Sequence, residues 1–244
     1  MQRVYFRFYE ELNDFLPEAK RKVRFTHEFT GRNSVKDMIE SLGVPHAEID
    51  LILVNTHSVD FSYIVQDNDD ISVYPVFESF DISGLTHLRS KPLREPKFIA
   101  DVHLGQLARY LRMLGIDTLY KTNFSKDDLI KILLIERMAI LTRDRNILKR
   151  NEVTHGYWVR SEDPYEQVKE VIQRFHLEGE IKEFSRCLEC NGLLEIVEKE
   201  RVIDRIPEKV KELQDEFYQC NGCHRIYWKG SHYTKMKDLI ASFK

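Results

Sequence analysis

Apolar and polar positions alternate along much of the first 80 residues, the two-residue period of half-buried strands. VYFRFY (4–9) and VRFTHEF (23–29) predict a hairpin with a polar connection near Pro17–Arg21. Ser34 stands where a helix N-cap belongs, and Val35, Met38, Ile39 and Leu42 keep helical spacing up to Gly43 and Pro45. IDLILVN (49–55), VDFSYIV (59–65) and ISVYPVF (71–77) predict three further strands, with Asp67–Asp70 as a turn. Strands around a single helix define an α+β unit over 1–80, a β-grasp sheet holding its helix.

The prolines and charges of 81–96 have no period and predict a linker. The rhythm then changes. KFIAD (97–101) predicts a strand; Leu104, Leu107, Leu111 and Leu114 line a helix stopped by Gly115; IDTLY (116–120) is a second strand. Ser125 opens a helix to about Arg137, MAILT (138–142) is a buried strand, and a short basic helix follows near Arg145–Arg150. GYWVR (156–160) is a strand, and Asp163-Pro164 opens a helix to about Phe175. This alternation predicts an α/β domain over 97–180 with a parallel sheet, whose strand C-terminal ends share one edge.

From Cys187 the helical rhythm fades, leaving LLEIVE and RIYWKG as short strands and 208–216 as a small helix. Here CLEC and CNGC stand 29 residues apart. Two Cys-x-x-Cys turns can aim four thiolates at one ion, which predicts a zinc ribbon over 181–244 with zinc held by Cys187, Cys190, Cys220 and Cys223. Four thiolates leave no open position for water, so this zinc is structural, and His224 and His232 are not needed as ligands.

Composition adds bounds rather than chemistry. A chain of 244 residues, 42% hydrophobic, can bury a real core. The net charge of -3 hides an asymmetry: residues 1–80 carry 8 Lys+Arg and 14 Asp+Glu, leaving the rest mildly basic. The asymmetry fits contact with a polyanion through the body of the chain only, although a solvated surface of uneven charge gives the same pattern. No run approaches the roughly 20 apolar residues of a membrane span, and MQRVYFRFYEEL lacks the apolar core of a leader. The expectation is a cytoplasmic protein with reduced cysteines and no membrane partner.

Three acids stand out by position. Asp101 ends the first strand of the α/β domain, Asp144 follows the apolar strand MAILT, and Asp128 lies in the first turn after Ser125. Acids at the C-terminal edge of a parallel sheet converge, and Mg²⁺ or Mn²⁺ would neutralise them. Structural readings compete: Asp128 completes a capping box with Ser125, Asp144 and Asp163 sit at N-cap positions, and Asp117 reads as a turn residue. Asp127, leading towards Lys131, is the competitor of Asp128. Arg143, Arg145, Lys149 and Arg160 would suit a polyanionic substrate, although a solvated basic face gives the same pattern. Lys229 and His232, with Tyr227, Trp228, Tyr233 and Lys235, offer stacking and phosphate contacts for single-stranded RNA, or the aromatics form a small core.

FIADVHLGQLARYLRMLGIDTLY, ILTRDRNILKR, WVRSEDPYEQ, CLECNG and CNGCHRIYWKGSHYTKM together resemble the Mut-seven C-terminal ribonuclease domain, a PIN-like nuclease with an attached zinc ribbon. The resemblance runs from Lys97 to Met236. Residues 1–80 resemble the ubiquitin-like domain fused ahead of it, related to small sulfur carriers. Working carriers end in Gly-Gly, whereas this segment runs on through VFESFDISGL, so the implied role is binding a partner protein rather than sulfur transfer. The resemblance implies a metal-dependent endoribonuclease, with Asp101 and Asp144 at the family's acidic positions and Asp128 as a further acid. The alternative is a non-catalytic RNA-binding adaptor, since PIN-like relatives include proteins that bind RNA without cutting it.

Overall fold

The computed structural model describes residues 1–75, 88, 97–136 and 138–243. The expected linker (Leu88 apart), the strand end at 76–77 and the helix end at Arg137 lie outside the described residues. Contacts divide the chain into two units, Met1–Glu95 with Asp144–Trp158, and Pro96–Arg143 with Val159–Lys244.

The first unit contains β1 (Gln2–Phe8), β2 (Phe25–Phe29), α1 (Val35–Ser41), β3 (Ile49–Val54), β4 (His57–Ser58) and β5 (Asp70–Pro75). Its sheet has the order β2-β1-β5-β3-β4. β1 runs antiparallel to β2 and parallel to β5, and β5 is antiparallel to β3. The sequence dictates this by alternation: Val4, Phe6 and Phe8 of β1 join Ile52, Ile71 and Val73 in one core with Val35, Met38 and Ile39 of α1. Ser34 caps α1 as expected, its hydroxyl accepting from the Asp37 amide at 3.1 Å.

The expected strand at 59–65 is corrected. Asn55 and Thr56 turn the chain at positive φ (48° and 73°), and the Asp60 carboxylate accepts from the Ser62 amide in a tight turn. Among the described residues, a single isolated bridge, Ser34 to Ile64, pairs this segment. Val59, Phe61 and Tyr63 still pack on the core, which is why the sequence carries a strand-like alternation without a ladder.

The second unit begins with β6 (Phe98–Ala100), α2 (Gly105–Met113), β7 (Thr118–Leu119), α3 (Lys126–Glu136) and β8 (Ala139–Thr142), and β6 lies parallel to both β7 and β8. The next elements, α4 (Arg145–Leu148) and β9 (Gly156–Trp158), group with the first unit. The second unit resumes with α5 (Pro164–Phe175), whose N-cap Asp163 accepts from the amides of Tyr165 and Glu166. β10 (Leu194–Val197), α6 (Lys199–Val202), α7 (Glu208–Leu213), β11 (Phe217–Cys220), β12 (Ile226–Trp228) and α8 (Ser231–Ala241) complete the chain. β10, β11 and β12 form an antiparallel sheet in that order.

The sequence reading gave the tail no helix, and α8 corrects that. Its apolar stripe is narrow, Tyr233, Met236, Leu239 and Ile240 among lysines and hydroxyls; Ile240 is buried, and a further anchor lies just beyond the helix end. The Phe243 ring sits 5.7 Å from that of Tyr110 on α2 and 6.2 Å from that of Tyr165 on α5. Among the described residues, no helix is long and apolar enough to cross a membrane.

Candidate metal centre and the expected acidic residues

The four cysteine sulfurs lie within 4.8 Å of one another, and among the described residues they are the group of three or more His, Cys, Asp or Glu placed to share an ion. Cys187 Sγ and Cys223 Sγ are 3.6 Å apart, and Cys190 Sγ and Cys220 Sγ 3.3 Å. Thiolates at about 2.3 Å from a tetrahedral zinc stand about 3.8 Å apart, so the sulfurs fit that ion closely. The amides of Gly222 and Cys223 point at Cys220 Sγ (3.3 and 3.5 Å), as they would towards a thiolate. A Cβ on Gly192 would fall 2.8 Å from Cys220 Sγ, so the backbone of the first turn must be bare there.

The Tyr227 hydroxyl lies 3.0 Å from Cys187 Sγ. Burial raises the Cys187 pKa, but bonds from Tyr227, from the amides of Cys190 and Glu189, and from Cys223 outweigh it and bring the thiol down to about 7. Cys190, dominated by burial, is pushed up to about 12. Tyr227 itself is raised by burial and by its bond to Cys187.

The first cysteine turn is tied to the end of α2 by a dense set of polar contacts. Helix ends leave orphan carbonyls. At the end of α2 those of Met113 and Leu114 accept from the amides of Phe184 and Lys182, both at 2.9 Å. Gly115, at φ +86° and with the Lys182 carbonyl against its α-carbon, ends the helix where no side chain fits. Arg186 donates to the Gly115 and Asn191 carbonyls and pairs with Asp117 at 3.0 Å. The Asn191 side chain donates to Asp117 at 2.6 Å and accepts from the Thr118 amide at 3.1 Å.

Arg112 completes the set. Its buried guanidinium donates to the carbonyls of Thr118, Tyr120, Leu188 and Glu189. Burial lowers its pKa, opposed by Cys187, Cys190, Glu189 and Asp117. Sequence reasoning missed Arg112, Arg186 and Asn191 as functional residues and took Asp117 only as a turn. A signal existed for Arg112, which lies four residues after Ala108 and eight after Leu104, a cation on the apolar face of α2.

Asp101 lies directly behind β6 and is 3% exposed. Its Oδ1 accepts from the His103 amide at 2.8 Å; its Oδ2 accepts from the Arg143 amide at 3.2 Å and from the Thr142 hydroxyl. A carboxylate has about four acceptor positions, so about one is left for a ligand. Asp128 forms the capping box: its Oδ2 accepts from the Ser125 amide (3.0 Å) and hydroxyl (2.7 Å), and these bonds lower its pKa. Asp127 is exposed. Asp144 caps α4 by accepting from the Asn146 amide at 2.9 Å, within the first unit.

The basic candidates are engaged. Arg143 donates to the carbonyls of Arg160 and Ser161 and pairs with Glu162 at 2.9 Å. Arg160 lies 4.0 Å from Glu170, and Lys229 2.6 Å from Glu216. In the first unit, Arg145 stacks 3.7 Å over the Trp158 ring, and Lys149 donates to the Glu40 carbonyl at 2.9 Å. His232 is exposed in the first turn of α8.

The chain thus carries a mixed sheet around one helix, a parallel α/β sheet and a small antiparallel sheet beside four clustered cysteines. The chain belongs to the Mut7-C RNAse domain family, whose model matches residues 96–240. The Mut7-C ubiquitin model matches residues 1–81. No curated protein and no solved structure matched the chain.

Proposed function

We propose that this chain is a metal-dependent endoribonuclease, with a PIN-like α/β domain and a zinc ribbon that aids RNA binding. The match of the ribonuclease family model over residues 96–240 carries the reading. Asp101 supports it: a carboxylate 3% exposed at the end of a parallel strand, held by three donors, with capacity for one more partner. By their sequence positions Asp128 and Asp144 are the further carboxylates that would hold Mg²⁺ or Mn²⁺. Such an ion, when bound, activates water and offsets the charge that develops on a phosphodiester. The residues position and neutralise: Thr142 and Arg143 fix the Asp101 carboxylate, and Ser125 fixes that of Asp128. The cysteine site is a structural zinc site, and the ubiquitin-like domain docks a protein partner.

A second reading, an RNA-binding adaptor without cleavage, draws on the same contacts, because capping accounts for Asp128 and Asp144 without catalysis. Incubation of the full chain with labelled structured and unstructured RNA, with Mn²⁺ or with chelator, separates the two. Mn²⁺-dependent cutting that disappears in Asp101→Asn and Asp144→Asn is expected. Cutting that survives both substitutions sinks the proposed site, and binding without cutting selects the adaptor.

A further inference from the structure

One face of the cysteine-bearing sheet is not used for packing its small core. Cross-strand register pairs Phe217 with Trp228 and Tyr218 with Tyr227. Alternation then separates the two pairs: Phe217 and Trp228 meet Val202 and Ile206 in the core, while Tyr218 and Tyr227 lie on the opposite face. That face forms part of an open-sided pocket of about 210 Å³, whose lining also includes Phe184, Arg186, Tyr233, Met236 and, from the core pair, Trp228. The Phe184 and Tyr233 rings pack at 4.6 Å with a 37° tilt and form one wall. Phe184 holds its position at φ +56°, a conformation that costs a bulky residue energy and that the wall retains.

We infer that this pocket binds a single unpaired nucleobase of RNA by stacking. The inference rests on the ribonuclease reading above for its choice of ligand. Aromatic faces with a few polar groups are what a flat, heteroaromatic ring requires, and every base has such a face. The charge around the pocket favours the base over its phosphate. Lys229 is paired with Glu216, Arg186 with Asp117, and Glu183 adds a further carboxylate to the lining. Neither cation is spare, so the contribution from phosphate neutralisation is small and the affinity has a shallow salt dependence. The pocket is therefore a base grip of low sequence preference, separate from the acids proposed to cut.

The test uses the full-length protein purified with zinc and a labelled oligouridylate, compared with an abasic ribose-phosphate strand of equal length. The base-bearing strand is expected to bind at least about tenfold more tightly, with Tyr233→Ala losing about tenfold and Tyr233→Phe retaining most of the affinity. Free adenosine and uridine should compete, and abasic binding should be indifferent to Tyr233→Ala. Equal affinity for the two strands overturns the proposal, as does an unchanged affinity in Tyr233→Ala with zinc content and circular dichroism intact. Displacement by a tyrosine-bearing peptide but by no nucleoside assigns the pocket to a protein and also overturns it. Base binding without any Mn²⁺-dependent cleavage leaves the pocket standing and fails the nuclease reading. Cleavage with base-indifferent binding does the reverse.

Discussion

Arg112 and Leu188 stand 76 residues apart in sequence, and the guanidinium of the first donates to the carbonyl of the second at 3.1 Å. The same nitrogen reaches the Glu189 carbonyl at 2.9 Å. A side chain of the α/β part thus holds the two residues between the first pair of cysteines, which fixes the direction in which Cys187 and Cys190 point.

Arg112→Ala should destabilise the second unit by about 2 kcal/mol, because four carbonyls lose their donor together, that of Thr118 in a buried bond, and a buried side chain leaves a gap. Arg112→Lys should recover little, since one ammonium cannot reproduce a planar fork of donors. Urea unfolding measures both, and an unchanged midpoint in Arg112→Ala would show that water replaces the guanidinium at no cost.

Removing the metal should disorder the cysteine-bearing sheet before the rest of the chain. Chelation, or Cys187→Ser, is expected to release one zinc per chain and to change the near-ultraviolet circular dichroism of Tyr218, Tyr227 and Trp228. Metal analysis that finds no zinc in the untreated protein contradicts this assignment.

Gly192→Ala tests the shape of the thiolate cradle. The new methyl would meet Cys220 Sγ and Asn221 Oδ1, each at 2.8 Å, so a cost of about 1–3 kcal/mol and weaker zinc retention are expected. Gly179→Ala, where nothing lies within 4 Å, is the control and should be close to neutral.

Asp101 can be separated into structural and chemical roles. Asp101→Ala removes the acceptor shared by the Thr142 hydroxyl and the amides of His103 and Arg143, and a loss of about 1–3 kcal/mol in all is expected. Asp101→Asn keeps an acceptor oxygen and the shape but loses the charge. Its melting temperature should stay nearer the wild type while Mn²⁺-dependent cleavage is lost. Equal loss of stability in both variants would mean that the negative charge itself holds this edge.

Much of this was legible in the chain, and the exceptions have physical causes. Ser34, Ser125 and Asp163 cap their helices because short-range spacing alone determines such bonds. The four cysteines converge because Cys-x-x-Cys turns are nearly complete sites in themselves. Residues 59–65 misled because burial of Val59, Phe61 and Tyr63 leaves the same alternation as a strand. The bonds of Arg112 to Leu188, and of Arg186 and Asn191 to Asp117, were invisible because each joins segments about 70 or more residues apart, and a polar residue carries no mark of a distant partner. The basic residues read as an RNA face have the right charge, but Arg143, Arg160 and Lys229 bond within their own unit, which spacing cannot reveal.

The capping of α2 by residues 182–186 bears on where the gene can be divided. A fragment ending near residue 180 would match the end of the α/β alternation, yet it would leave the carbonyls of Met113, Leu114 and Gly115 without donors and remove two carbonyls from Arg112. Such a piece should be recovered from cells as aggregate or degraded chain, while one carried through Phe243 should be recovered folded. The smallest inheritable module of the second unit therefore includes the segment that carries the cysteines.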